Sequence, residues 1–217
     1  MKRVAVPTSR VVLRPTVEGL ENVPREGPVI VASNHLSLAD NFIVPVLAPR
    51  PVTYLAKAEY FEGRGLRGRF VRWFFTSLGQ IPVKRTERRA AKAALETALE
   101  VLEAGEMFGI YPEGTRSLDG RLYRGHTGVA WLALTSGAPV VPVGLVGTDR
   151  LHPTGKRLPR LQRVTVRFGA PMSFSQDEGG AGSARARRRV TDEIMREIAE
   201  LSGQEHAGVY NERASTA

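Results

Sequence analysis

The 217-residue chain contains no cysteine, which excludes disulfides and thiolate metal sites and fits a reducing compartment. Histidine is scarce. His35, His126, His152 and His206 stand far apart and show no metal-ligand spacing, so no metal site is expected. The opening Met1-Lys2-Arg3-Val4-Ala5-Val6-Pro7 lacks the apolar run of a signal peptide. Formal charge is absent from Gly125 to Thr148, a stretch long enough to span a bilayer. Ser136-Gly137-Ala138-Pro139 and Pro142 interrupt it, which predicts a buried helix, a turn and a buried strand instead.

Acidic residues are also few, 22 against 31 basic ones, and the net charge is +9. The excess is uneven. Lys57 to Lys92 holds ten Lys and Arg against three Glu, and Arg150 to Arg167 holds six with no acid. Such fields attract polyanions: anionic lipid surfaces, nucleic acid or phosphorylated substrates. No helix-turn-helix, zinc or RNA-binding signature is present, so nucleic acid is not an expected partner.

Along the chain, strand patterns alternate with helical ones. Val11 to Val17 alternates weakly as an edge strand. Val29-Ile30-Val31-Ala32-Ser33 is a short β-branched run suited to a buried strand. Leu38 to Leu47 predicts a short helix strained by Pro45. Val52 to Ala56, Ile81 to Val83, Met107 to Tyr111, Pro139 to Val146 and Arg163 to Phe168 read as strands. The proline inside Pro139–Val146 favours an edge or a bulge. Thr86 to Ala104, with Thr86 as cap and Leu95, Leu99 and Leu102 at helical spacing, is the clearest helix. Thr127 to Ser136 and Arg185 to Leu201 are two more. This alternation predicts a single α/β domain: a mixed, largely parallel sheet flanked by helices. From Gly203 onward the chain should fray. Leu66 to Leu78 sets Arg67, Arg69 and Arg72 among Phe70, Trp73, Phe74 and Phe75. It suits either a helix resting on an anionic membrane or a core helix with snorkelling arginines.

Two runs carry chemistry. In Asn34-His35-Leu36-Ser37-Leu38-Ala39-Asp40, histidine can serve as a base near neutral pH, and a carboxylate can fix its tautomer. Five residues apart on a regular helix, the two side chains would diverge by about 140°. They meet only if His35 lies in a loop and Asp40 in the first helical turn. The same residues also fit plain capping, because Ser37-x-x-Asp40 is a Ser-x-x-acid pattern in which Ser37 caps and Asp40 complements the helix dipole.

The second run is Tyr111-Pro112-Glu113-Gly114-Thr115-Arg116. Gly114 permits a positive φ or a close approach, and Arg116 can hold a phosphate with paired hydrogen bonds. Glu113 could orient a basic group or a substrate hydroxyl. Gly79 to Arg85 repeats the logic, a short strand that delivers Arg85. The Tyr111–Arg116 run also fits an ordinary surface turn after a strand, and Arg85 also fits a solvated charge at the start of a helix. Loops that follow parallel strands converge at one sheet edge, where open α/β folds bind ligands.

Asn34-His35-x-Ser37-x-x-Asp40, Gly79-x-Ile81-Pro82-Val83-x-Arg85, Tyr111-Pro112-Glu113-Gly114-Thr115-Arg116-Ser117 and Val140-Val141-Pro142-Val143 resemble, in order, the four blocks of the glycerolipid acyltransferases. The resemblance is closest to the 1-acylglycerol-3-phosphate acyltransferases and runs from about Pro28 to about Gly155. It implies that His35 is the catalytic base and Asp40 its partner. It implies that Arg85, Glu113, Gly114, Thr115 and Arg116 form the phosphate and substrate site, with Pro142 on the acyl-donor side. The implied reaction moves an acyl group from acyl-CoA or acyl carrier protein to 1-acylglycerol 3-phosphate, with no cofactor or metal. The acyltransferase domain would occupy residues 1–203, with 204–217 a flexible tail. The implied location is the cytoplasm, peripheral on the cytoplasmic membrane face, against an anionic surface. Other acceptors (glycerol 3-phosphate, a lysophospholipid, a glycolipid) and a basic, non-catalytic membrane binder are the alternatives. Tyr111 departs from the family's common phenylalanine.

Overall fold

The computed structural model describes residues 15–58, 61–63, 65–77, 79–83, 88–151, 162–174 and 180–211. Its strands are β1 (Thr16–Glu18), β2 (Val29–Ser33), β3 (Val52–Lys57), β4 (Gln80–Val83), β5 (Met107–Ile110), β6 (Val140–Val146) and β7 (Thr165–Phe168). The α-helices are α1 (Asp40–Leu47), α2 (Gly65–Ser77), α3 (Arg88–Glu103), α4 (Gly128–Ser136), α5 (Thr148–Leu151) and α6 (Ala184–Ser202). One seven-stranded sheet runs β1-β7-β6-β2-β5-β3-β4. Of its pairings only β6 with β7 is antiparallel.

β2 lies at the centre of the sheet and all five of its residues are buried. Its continuous apolar run is what a parallel strand covered on both faces requires. Val29 and Val31 enter one core with Val44 and Leu47 of α1, while Ile30 and Ala32 enter the other with Leu102 of α3, Leu132 of α4 and Ile194 of α6. The strand period of two thus sorts its side chains between two helical layers. The chargeless stretch after Gly125 becomes α4 and β6, as the breaks in it imply. No described helix is long and apolar enough to cross a membrane.

Two expectations meet a different structure, and a third is met in one of its two forms. Ser37 does not cap α1: the N-cap is Ala39, without a side-chain cap bond. The carboxylate of Asp40 instead reaches back to the loop ahead of the helix, and Ser37 Oγ accepts from Ala39 N at 3.2 Å. Pro142 is on an internal strand, so of the edge and the bulge that its proline favours the structure has the bulge. The ladder to β7 slips by one residue between the pairs Val143–Phe168 and Val140–Met172. Pro142 faces that bulge, where it has no N–H to offer, and its carbonyl accepts from Gly169 N at 2.8 Å. The expected fraying after Gly203 gives way to a docked strap as far as Asn211. Leu122 N donates to Glu205 O at 2.9 Å, Ala207 N to Leu122 O at 2.8 Å and Arg124 N to Val209 O at 2.9 Å. Residues 212–217, Thr86 with its expected cap, and the first residues of the Val11–Val17 strand lie outside the described residues.

Candidate active site

The loops that follow β2 and β5 meet at the C-terminal edge of the parallel strands, where this architecture places ligands. Asn34, the residue after β2, is buried and clamps the backbone of β6. Its Oδ1 accepts from Leu145 N at 2.7 Å and its Nδ2 donates to Leu145 O at 2.9 Å. The same Nδ2 donates to Gln204 Oε1 of the strap at 2.7 Å. Strand, sheet neighbour and strap therefore fix the residue ahead of His35.

His35 is in the loop and Asp40 in the first turn of α1, the one arrangement in which their side chains can meet. His35 Nδ1 lies 2.9 Å from Asp40 Oδ2, with the histidine side chain 12% exposed and the aspartate fully buried. That oxygen also accepts from Leu36 N and Ser37 N, both at 2.7 Å. Three N–H groups converge on one buried oxygen and set the direction of the carboxylate. A carboxylate at Nδ1 selects the tautomer that leaves the Nε2 lone pair available. The imidazole is stacked on Tyr111, ring centroids 3.9 Å apart and 12° between planes. Tyr54 stacks on Tyr111 in turn at 5.3 Å. Gly109 makes room for this: a Cβ there would stand 2.1 Å from the Tyr54 ring.

Glu113 is buried and its two carboxylate oxygens are taken up by backbone N–H groups. Its Oε1 accepts from His35 N at 3.0 Å and its Oε2 from Tyr123 N at 2.9 Å. Burial pushes its carboxyl up to about 7, against the two backbone N–H groups and with Asp40 and Asp119 adding to the rise. Its place suits bracing of the His35 loop. Ser117 N donates to His35 O at 2.7 Å, so the turn from 113 to 117 is held to the histidine at both ends.

Gly114 has φ 75°, and a Cβ on it would come within 3.1 Å of the His126 ring. Thr115 and Arg116 follow, both half-buried. Arg116 O accepts from Asn211 Nδ2 of the strap at 3.1 Å. Among the described residues its guanidinium has no protein hydrogen bond or ion pair, so its donors are available to an anion. Arg85 lies outside the described residues. Pro142 is buried in the sheet, where a Cβ on Gly169 would meet its Cγ at 2.8 Å, and it shapes the sheet interior.

The structure brings His35 and Asp40 together beside the turn that bears Arg116, an arrangement the sequence allowed, and adds groups that hold them which the sequence did not point to. Asn34 was inside a quoted motif, yet its clamp on Leu145 links residues 111 positions apart. Gln204 and Asn211 lie in what the sequence offered as a tail. Tyr54 gave no signal at all. Together the groups provide an oriented imidazole with an open lone pair, beside a turn that ends in a cation with no partner among the described residues.

A family model described as Acyltransferase matches residues 14–146. A chloroplast 1-acyl-sn-glycerol-3-phosphate acyltransferase of Arabidopsis thaliana is 35% identical over 144 residues, 64% of this chain and 38% of that protein. The protein of that name from Borreliella burgdorferi is 35% identical over 61% of this chain and 51% of its own length. The chain thus spans about two fifths to one half of the length of these curated relatives. The one from Bacillus subtilis is 26% identical over 85% of this chain and 86% of its own. Among solved structures, the 1-acyl-sn-glycerophosphate acyltransferase PlsC of Thermotoga maritima aligns with TM-score 0.71 at 27% identity, covering 92% of this chain and 80% of that one. The matched residues take in more than half of the sequence and both loops of the site, and the chain belongs to the acyltransferase family.

Proposed function

We propose that the protein transfers a fatty acyl group from a thioester, acyl-CoA or acyl carrier protein, to the free hydroxyl of 1-acylglycerol 3-phosphate, giving phosphatidic acid. The observation that carries this is the 2.9 Å His35–Asp40 pair, tied through Glu113 and Ser117 to the turn that bears Arg116. His35 Nε2 takes the hydroxyl proton as the oxygen attacks the thioester carbonyl, and Asp40 stabilises the imidazolium. The tetrahedral intermediate collapses, the C–S bond breaks, and the imidazolium returns its proton to the departing thiolate. Arg116, with Arg85, holds the acceptor's phosphate, and Gly114 and Thr115 shape the turn, which places the hydroxyl at the base. Glu113 keeps His35 in position. The chemistry as written calls on no metal or bound cofactor.

A lipid acceptor has to be met at a bilayer. On α2, Leu66 is 86%, Phe70 62% and Trp73 52% exposed, with Arg69 and Arg72 exposed beside them. That face, spaced one helical turn apart, suits an anionic membrane surface and not a core, which supports a peripheral location on the cytoplasmic side.

Steady-state kinetics on Arg116→Ala test the acceptor assignment. The KM for lysophosphatidic acid should rise by about 10- to 100-fold, the loss of a paired charge-assisted contact, with a small change in the thioester KM. A variant that loses turnover equally with glycerol 3-phosphate, a lysophospholipid or a glycolipid acceptor, and keeps its KM for lysophosphatidic acid, contradicts it. Wild-type protein that consumes no thioester is a binder.

A further inference from the structure

One cleft among the described residues is lined by neither His35 nor Arg116. It has a volume of about 820 Å³ and lies between α6, the chain at 123–125 and the strap at 206–208. Four of its lining arginines, Arg185, Arg188, Arg189 and Arg196, come from α6, and Arg124 comes from the facing loop. The acids in the lining are Asp192 and Glu193, and Asp192 is already bonded to Arg188. The cleft therefore carries a positive excess in a recess, which focuses the field on a small anion.

Arg188 pairs with Asp192 one turn along α6, but the start of the helix does not explain the cluster. Ser183 Oγ caps α6 through Ala186 N at 3.2 Å, and no acid occupies the first turn. Arg185, Arg188 and Arg189 instead crowd the positive end of the helix dipole, where cations are disfavoured and a bound anion is favoured. The volume is in the range of cofactor-sized sites, and the recess is unlike the protruding apolar face that α2 offers a membrane.

The cleft wall is joined to the reacting centre. Tyr123 is part of the lining, and the carboxylate that accepts its N–H also accepts that of His35. Arg188 Nη1 donates to Gly125 O at 2.8 Å and His126 N to Pro112 O at 2.8 Å, so α6, this wall and the Glu113 turn are one hydrogen-bonded unit. The reaction proposed above has two anionic substrates, and Arg116 serves the acceptor. We infer that the α6 cleft binds the phosphate-rich nucleotide end of a coenzyme A thioester and so selects acyl-CoA as donor. This inference rests on the acyltransferase reading.

The test uses the full chain, the double variant Arg185→Glu/Arg189→Glu, and the milder Arg185→Gln. Each acylates lysophosphatidic acid from decanoyl-CoA or from decanoyl-N-acetylcysteamine, which has the thioester without the nucleotide. Binding of adenosine 3′,5′-bisphosphate is followed separately by calorimetry. Wild type should prefer the CoA donor in kcat/KM and bind the bisphosphate. The double variant should lose at least about 10-fold of that preference together with the binding, and Arg185→Gln should lose part of both. Equal use of the two donors by wild type, with no bisphosphate binding, overturns the inference and leaves the acyltransferase reading standing. An unchanged donor ratio in the double variant also overturns it, as does a loss confined to phosphatidylglycerol vesicle binding. Thiol release from neither donor overturns the acyltransferase reading itself, while calorimetry still reports on the cleft.

Discussion

Asp40 Oδ2 receives three N–H donors, while Asp40 Oδ1 is buried and accepts none among the described residues. One oxygen thus does all the orienting of His35, and the rigidity of the pair comes from the loop amides at Leu36 and Ser37. Burial, with Asp40's charge adding to it, pushes the phenols of Tyr54 and Tyr111 above their ordinary value, so both are neutral beneath the imidazole. Glu113 has the more testable titration. Its carboxyl titrates near 7 in the fold and in the ordinary carboxylate range when unfolded, so folding favours its protonated form. That contribution is present in full at acid pH and is lost as pH rises through about 7. The unfolding free energy of wild type relative to Glu113→Gln should therefore fall between about pH 5 and about pH 8, measured by urea denaturation. A difference that grows with pH contradicts the assignment. The residue types of the site were legible in the sequence because base, acid and cation occur in short runs. The direction of Glu113 was not legible, since its partner His35 lies 78 positions away.

At the scale of elements, the strands that form the centre of the sheet could be read directly. β2 and β5 are short apolar runs between turn signals, and α3 and α6 show their buried faces at helical spacing. Misreadings arose where local chemistry competes with tertiary contacts. Ser37 matches a capping pattern, yet Asp40 finds the histidine and two loop amides more rewarding than its own helix. Pro142 tolerates an internal strand because β7 bulges opposite it. The strap from 203 to 211 is polar and short, and nothing in it announces that Gln204 will bridge Asn34 and Gly120, donating to Gly120 O at 2.7 Å. Gln204→Ala leaves that buried amide of Asn34 one partner short and should cost about 1–3 kcal/mol in urea unfolding. Because Asn211 also holds the Arg116 carbonyl, ending the chain at Gly203 should lower kcat/KM for lysophosphatidic acid. A truncated protein with wild-type stability and kinetics shows that the strap is an ornament of the fold.

For the molecule as a whole, the charge of +9 and the exposed face of α2 describe one surface problem: how a protein whose described helices are too short or too polar to span a bilayer would meet the lipid acceptor proposed for it. The Phe70 and Trp73 rings lie tilted at 37° with centroids 5.8 Å apart and together offer a compact apolar wedge with arginines at its side. Trp73→Ala should reduce the fraction sedimenting with phosphatidylglycerol vesicles about 10-fold, consistent with the area an aromatic ring buries. The bound fraction should fall further on raising salt, because the arginine contribution is screened. Unchanged sedimentation of Trp73→Ala places the membrane contact elsewhere. The sequence showed that this helix mixes arginine with aromatics, but not which way it faced. That depends on which surfaces of the sheet the other helices already cover.

The central claim is that His35, held by Asp40, is the base of an acyl transfer. Its most direct measurement is thiol release from a long-chain acyl-CoA, with and without lysophosphatidic acid, by wild type, His35→Ala and Asp40→Asn. The account predicts release that requires the acceptor, falls to background in His35→Ala, and drops by about 10²–10⁴-fold in Asp40→Asn while the folded structure is retained. Acceptor-dependent release at the wild-type rate from His35→Ala contradicts it.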